Sequence, residues 1–153
     1  MEDIGDIENQ RCKFIWQTNN VFLCYFGKLV SDVKHSLFTC YCSSMYGSAL
    51  WYVGDKCVNK FCTEWRKGLR RVWNLPYDAH CDIVTGLSGG LSILDELCKR
   101  SLSFVAKCLR HSSGLIRFIT SHGISFAAGV SLMGKNVTFC SACLLYTSPS
   151  PRD

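Results

Sequence analysis

The sequence predicts an all-α protein, a bundle of about four to five helices. Apolar residues recur three or four positions apart in several segments, which places them on one face of a helix. No segment alternates apolar and polar residues in the manner of a half-buried strand. Because 48% of the 153 residues are hydrophobic, the chain has the composition of a folded domain and not of a disordered segment.

Two helices are predicted in the N-terminal third of the chain. The first covers residues 7–30, where aromatic and aliphatic side chains recur with polar ones between them. The second begins at Ser31 and Asp32, which supply an N-cap and an acidic residue for the first turn, and extends to about Trp51. Its apolar positions are Val33, Leu37, Tyr41 and Met45.

The third predicted helix has the most regular pattern in the chain. It follows a turn at Gly54 and Asp55 and ends before Pro76, which cannot continue a helix. Because a helix turns by about 100° per residue, its apolar residues fall within roughly 40° of one line. They are Val58, Phe61, Trp65, Leu69 and Val72.

Two further helices are predicted in the C-terminal half. Ser92 and Asp95 form an S-x-x-D start signal for a fourth helix that ends near His111. Its apolar positions are Leu94, Cys98, Leu102, Val105 and Leu109. A weaker apolar patch over 115–119 predicts a short fifth helix, and the Gly- and Ser-containing segment 85–91 is expected to connect the third and fourth helices.

Positive charge is concentrated on the third predicted helix. The net charge of the chain is +5, and the window 56–75 holds six basic residues against Glu64 alone. The other 11 basic and 11 acidic residues cancel, because the chain has 17 basic and 12 acidic residues in total. Opposite the apolar line, the helix presents a basic face made of Lys60, Arg66, Lys67, Arg70 and Arg71.

This basic face has two interpretations. Five cations on one face repel one another unless an anion is present, and a nucleic-acid backbone supplies anions with favourable counterion release. The other interpretation is a solvated outer face without a ligand. No groove-reading motif is visible, so contacts with phosphates would position a nucleic acid without reading its sequence.

Neither a catalytic site nor a metal site is predicted. The eight aspartates are scattered, whereas phosphoryl-transfer chemistry needs paired carboxylates that hold divalent metal. Cys140 and Cys143 have the C-x-x-C spacing of metal ligands, but a single such pair without a second one is a weak zinc signal. The four histidines are dispersed, and no cofactor is expected.

The cysteine usage predicts an intracellular protein, in the cytoplasm or nucleus. The chain has eleven cysteines, an odd number, and its acidic N-terminus lacks the basic-then-apolar pattern of a signal peptide. Most of the cysteines adjoin apolar positions of the helical patterns, where a free thiol behaves as a small hydrophobe. No run approaches 18 consecutive apolar residues, so no membrane partner is expected.

Four segments taken in order resemble the region just after the polymerase core of non-LTR (LINE-type) retrotransposon reverse transcriptases. They are "DIENQR", "DVKHSLFTCYCSSMYGSALW", "WRKGLRRVWNLPYDAH" and "LDELCKRSLSFVAKCLRHSSGLI". The similarity covers about Asp6 to His122, and its most specific feature is the pairing of "YGSALW" with "WRKGLRRVWNLP".

The resemblance implies helices of the thumb and post-polymerase region, which contact the template–primer duplex. Lys60, Arg66, Lys67, Arg70 and Arg71 would then lie against an RNA–DNA or DNA backbone. The catalytic Tyr/Phe-x-Asp-Asp motif of that family of RNA-directed DNA polymerases lies upstream of this region. The resemblance therefore implies a fragment that lacks the active site, is not catalytic on its own and would belong with a missing polymerase core.

The last ten residues, "LLYTSPSPRD" at 144–153, resemble translated sequencing-adapter read-through. The expected organisation is a helical thumb-like region over 1–122, a poorly defined continuation over 123–143 and an artefactual tail over 144–153. The bundle is thus expected to be incomplete at both ends. Two alternatives stay open: a small helical protein-interaction module with a solvated basic face, and repeat debris that is never translated.

Overall fold

The computed structural model confirms the all-α class. The structure describes residues 3–25, 29–42, 44–89, 91–127 and 129–147, and within them it contains seven α-helices, one 3₁₀ turn and no strand. The helices are α1 (Asp3–Tyr25), α2 (Ser31–Cys42), α3 (Lys56–Val72), α4 (Cys81–Ser88), α5 (Ile93–Leu109), α6 (Gly114–Ser125) and α7 (Leu132–Thr147). The 3₁₀ turn lies between α2 and α3 at Ser48–Leu50.

The helices fall into two compact units. The first contains the described residues of 3–46 and 56–93, and therefore α1 to α4. The second contains those of 47–55 and 94–147, and therefore the 3₁₀ turn, nearly all of α5, and helices α6 and α7. None of the helices described is long and apolar enough to cross a membrane.

The core of the first unit is an aromatic cluster contributed by α1, α2 and α3. Phe14 stacks on Trp65 with ring centroids 5.2 Å apart, and Phe38 meets the same indole at 5.0 Å. Phe61 lies 5.5 Å from Phe14. Gly68 permits this approach, because a β-carbon there would lie 2.9 Å from the Phe38 ring. The apolar line predicted for the third helix is thus the face that packs on α1 and α2.

The core of the second unit is organised around one buried amide. Asn136 of α7 is 1% exposed, and its Oδ1 accepts a hydrogen bond from the backbone N–H of Val53 at 3.0 Å. Its Nδ2 donates to the carbonyl oxygen of Trp51 at 2.7 Å and to Ser101 Oγ at 3.0 Å. A single side chain therefore satisfies two backbone groups of the segment before α3 and one hydroxyl of α5.

Two predicted helix ends were wrong. The first helix starts at Asp3 and ends at Tyr25, before the predicted end at residue 30, and residues 29–30 are not helical. The second ends at Cys42 and not near Trp51. Gly47 takes the left-handed conformation with φ 80° before the 3₁₀ turn, so a helix could not have continued through this position to Trp51. Met45 and Trp51 are buried outside a regular helix, so their apolar character reports tertiary packing and not helical periodicity.

The sequence analysis did not predict two of the helices, and it predicted a third that was too short. The second half of helix α4, residues 85–88, lies in the predicted connection. At the start of this helix the His80 imidazole accepts a hydrogen bond from the N–H of Asp82, and at its end Gly89 takes a φ of 61°. Helix α7 occupies much of the expected poorly defined continuation, and it includes the first four residues of the expected tail. Helix α6 runs from Gly114 to Ser125, well beyond 115–119. Residues 148–153 lie outside the described part of the chain.

Candidate nucleic-acid interface

All five predicted phosphate-binding cations lie on α3, and the three arginines contact two different neighbouring elements. Arg66 and Arg70 are directed to the start of α4, since both approach the Cys81 sulfur at 3.8 Å. Arg71 is directed to α1, where its Nη1 donates to Asn19 Oδ1 at 2.9 Å. One helix surface therefore presents cations toward two neighbouring elements of the first unit.

Arg70 has a structural contact that the sequence did not predict. Its Nε and Nη2 donate to the carbonyl oxygen of Ala79 at 3.1 and 2.8 Å. Arg66 is held more loosely, with Nη2 donating to Thr63 Oγ1 at 3.3 Å on the same helix. A carbonyl oxygen carries no net charge, and a guanidinium has five N–H donors, so both arginines keep their positive charge and unused donors.

Lys67 is the one member of the basic face with a carboxylate partner within the described residues. Its Nζ lies 2.9 Å from Glu64 Oε1, and this hydrogen bond is the main cause of the raised pKa of Lys67. The pair is partly exposed, and such surface pairs are worth about 0–1 kcal/mol. Lys67 therefore offers an incoming phosphate less net charge than its four neighbours.

Arg71 and Lys60 are the exposed members of the basic face. The Arg71 guanidinium carbon lies 4.2 Å from the centroid of the Phe22 ring, a cation–π contact that leaves the charge at the surface. Lys60 lowers the pKa of Glu8, although the hydrogen bond from Arg11 is the larger cause. Both cations are thus placed where an extended anion can approach them.

A cleft of about 320 Å³ opens beside the basic face in the first unit. Its lining includes the apolar side chains of Phe14 on α1 and of Leu75, which follows α3. The charged residues in the lining all belong to α3 and are Glu64, Lys67, Arg70 and Arg71. The volume lies at the lower end of the roughly 300–1,000 Å³ found for ligand pockets, and the mixed lining suits the polar edge of an anionic ligand.

The described residues contain no cluster of side chains that could serve as metal ligands. No group of three or more His, Cys, Asp or Glu side chains is placed to hold a metal ion in that part of the chain. Cys140 is buried beside Cys98, and burial is the main cause of the raised pKa of each thiol. A thiol held in its neutral form is a poor nucleophile and a poor metal ligand.

Sequence reasoning missed the residues of α1 that lie beside the basic face. Asn19 and Phe22 position Arg71, and Phe14 forms a wall of the cleft. Arg71, which both Asn19 and Phe22 contact, lies 52 positions after Asn19 in the chain. No local pattern signals such a pairing, which only the packing of α1 on α3 reveals.

Comparisons of the chain with protein-family models, with curated proteins and with solved structures found no match. The resemblance to reverse transcriptases therefore stays a prediction.

Proposed function

We propose that this chain is a fragment related to the thumb and post-polymerase region of a non-LTR reverse transcriptase, and that its activity is non-specific binding of a nucleic-acid backbone through α3. One observation carries the proposal. Lys60, Arg66, Arg70 and Arg71 share the surface of one helix, and none of the four has an ion-pair partner within the described residues.

The physical argument is electrostatic. Four cations that form no ion pair within the described residues repel one another on the surface of one helix, and phosphates of a duplex relieve that repulsion while releasing condensed counterions. Each phosphate neutralised contributes about −0.9 to the slope of log affinity against log salt on B-DNA, so four contacts predict a slope of about −3.6. The affinity should be nearly independent of sequence, because contacts to phosphates carry no base information.

The test is the affinity for a labelled RNA–DNA duplex, measured by fluorescence anisotropy over a series of salt concentrations. The test variant changes Lys60, Arg66 and Arg71 to Gln and keeps Arg70, because Arg70 also holds Ala79. A matched control removes three charges from the second unit by changing Lys99, Lys107 and Arg110 to Gln; all three side chains are exposed.

We expect the test variant to bind at least about tenfold more weakly and to have a flatter salt slope, whereas the control keeps most of the affinity and slope. Equal losses in the two variants would show that total charge, and not α3, drives binding. An affinity insensitive to salt would contradict the proposal outright.

The relationship to a reverse transcriptase has an independent test, which is sequencing of the genomic locus and its transcript across both ends of this reading frame. The proposal expects an upstream frame that encodes the paired aspartates of a polymerase core, and genomic DNA that departs from the last ten residues. A genuine untranslated leader before Met1 and a genomic tail would contradict it, and would favour a small helical protein-interaction module.

A further inference from the structure

Helix α6 of the second unit leaves a continuous apolar stripe exposed. We define the α6 stripe as Leu115, Phe118, Ile119, His122 and Phe126. These positions are i, i+3, i+4, i+7 and i+11, the spacing by which one helix packs against another. The apolar members are 68%, 68%, 58% and 83% exposed in chain order, whereas Thr120 on the opposite side is buried.

The aromatic members of the stripe are already in contact with one another. The ring centroids of Phe118 and His122 are 6.1 Å apart, and those of His122 and Phe126 are 5.2 Å apart. Rings that are ordered in this way lose little further conformational freedom when a partner covers them. The stripe is therefore a preorganised surface and not a set of unrelated exposed side chains.

An apolar cleft of about 180 Å³ adjoins the stripe within the same unit. Ile119 belongs to both features, and the cleft also includes Phe104 of α5 and the α7 residues Leu132 and Met133. Its volume is below the roughly 300–1,000 Å³ of cofactor and ligand pockets, and it suits one apolar side chain that projects from a partner. The α6 stripe and the cleft together form an apolar surface with one pocket, the type of surface that binds a partner helix in helix-in-groove recognition.

The positive charge of residues 97–147 favours an acidic partner. Residues 97–147 contain six basic residues and no acidic one. Arg100 is paired with Glu96 at 3.1 Å, but Lys107 and Arg110 take part in no ion pair within the described residues. Arg110 stands four residues before Gly114, where the helix that carries the stripe begins, so the chain that leads into this helix is positively charged and favours an acidic partner.

We infer that the α6 stripe is a docking surface for an acidic amphipathic helix of a partner protein. A single-stranded nucleic acid would require flat stacking surfaces along a cationic groove, yet Leu115 and Ile119 offer no such surface. A bilayer-surface helix carries many Lys and Arg residues on its polar face, yet α6 has Arg117 alone. A partner helix uses both the aliphatic and the aromatic members of the stripe.

The test uses a defined probe, a fluorescein-labelled synthetic peptide of about 20 residues, which is long enough for five helical turns. It carries Leu and Phe at positions i, i+3, i+4 and i+7 and Glu at the other exposed positions. A first control peptide has Lys in place of Glu, and a second keeps Glu and replaces the apolar residues by Gln. Binding of each to the full chain is measured by anisotropy.

The variants separate this surface from the basic face of α3. Changing Phe118 and Phe126 to Ser should weaken binding of the acidic peptide at least about tenfold, because both rings are removed from the contact. Changing Lys107 and Arg110 to Gln should weaken it less and reduce its salt dependence. The Lys60, Arg66 and Arg71 variant should bind the peptide like the unchanged chain, so failure of the duplex-binding proposal would leave this one standing.

Three results would overturn the inference. The first is equal binding of the acidic and basic peptides, and the second is unchanged peptide affinity in the Phe118 and Phe126 variant with its helical circular dichroism retained. The third is that the chain does not bind the peptide but binds tightly to a single-stranded oligonucleotide, or to vesicles of phosphatidylserine and phosphatidylcholine, and that the Phe118 and Phe126 variant loses this binding. The third would assign the surface to a nucleic acid or to a membrane.

Discussion

The side chain of Arg70 and the main chain of Ala79 are joined by a forked hydrogen bond, with Nε and Nη2 of the guanidinium 3.1 and 2.8 Å from the carbonyl oxygen. The fork connects the last turn of α3 to the segment that starts α4. A residue predicted from the sequence as a phosphate ligand is therefore also a structural element of the first unit. Measurement must separate this structural role from the proposed contact with phosphate.

Changing Arg70 to Ala should reduce the free energy of unfolding by about 1–3 kcal/mol, because a charge-assisted hydrogen bond is removed and the carbonyl of Ala79 loses its partner. Lys at the same position should recover only part of this, since an ammonium cannot form the fork. Urea unfolding followed by tryptophan fluorescence gives the values. The control is Lys60 to Ala, an exposed change expected to stay within about 0.5 kcal/mol; equal stabilities of the two Ala variants would contradict the structural role.

Changing Asn136 to Ala should be among the most destabilising substitutions in the second unit, by about 2–4 kcal/mol. The reason is that the backbone N–H of Val53 and the carbonyl of Trp51 would both lose a partner inside the core. The exposed Asn59 changed to Ala is the matched control. Thermal unfolding followed by circular dichroism measures the melting temperature of both variants. Equal melting temperatures would contradict the hydrogen bonds assigned to Asn136.

Two glycines in helices should respond in opposite directions to replacement by Ala. At Gly68 the new methyl group would meet the Phe38 ring at 2.9 Å, and we expect a loss of about 1–3 kcal/mol from overpacking. At Gly86 nothing lies within 4 Å, so the higher helix propensity of Ala should add about 0.5–1 kcal/mol. Denaturant unfolding of both variants decides this, and a neutral or stabilising Gly68 variant would show that α3 does not approach Phe38 closely.

The stability of the first unit should fall at alkaline pH through Cys62. Burial raises the pKa of this thiol to about 11 from its ordinary value of about 9. The thiol thus ionises in the unfolded chain before it ionises in the folded one, so its contribution is present below pH 9 and is lost as the pH rises from about 9 to 11. Two pKa units correspond to at most about 2.7 kcal/mol.

The measurement is the free energy of unfolding at several pH values, compared with a Cys62 to Ala variant. Between about pH 9 and 11, the free energy of unfolding of the variant should decline less steeply, by up to about 1.4 kcal/mol per pH unit. The Cys42 thiol, whose pKa burial also raises, stays in both proteins and does not affect the difference. Parallel declines would show that Cys62 is not buried in its neutral form.

The sequence predicted the elements whose signals are local. Helix α3 has a regular apolar line and a proline after its end, and α5 has an S-x-x-D start, so both were located to within a few residues. Helix α7 lacks an apolar face, because its apolar residues are distributed around the helix, and α4 has eight residues only. Their formation depends on contacts with other elements, which no local pattern records.

The candidate site was predictable to the same extent. The grouping of five cations on one face follows from the helical repeat, and the structure keeps them on α3. Which of them are available for a ligand does not follow, because that depends on Glu64 beside Lys67, on Ala79 beside Arg70 and on Phe22 beside Arg71. The sequence showed a weak apolar patch over 115–119, which is only part of the α6 stripe, and the exposure of these side chains could not be predicted from that pattern.

The contacts of the Asn136 side chain can form only late in the synthesis of the chain. Its partners Trp51 and Val53 precede it by 85 and 83 residues. At a translation rate of about 5–20 residues per second, these backbone groups emerge roughly 4–17 s before the side chain that satisfies them. The nascent second unit therefore leaves the N–H of Val53 and the carbonyl of Trp51 accessible to water until residue 136 has been synthesised, because the side chain that later bonds to both of them is still absent.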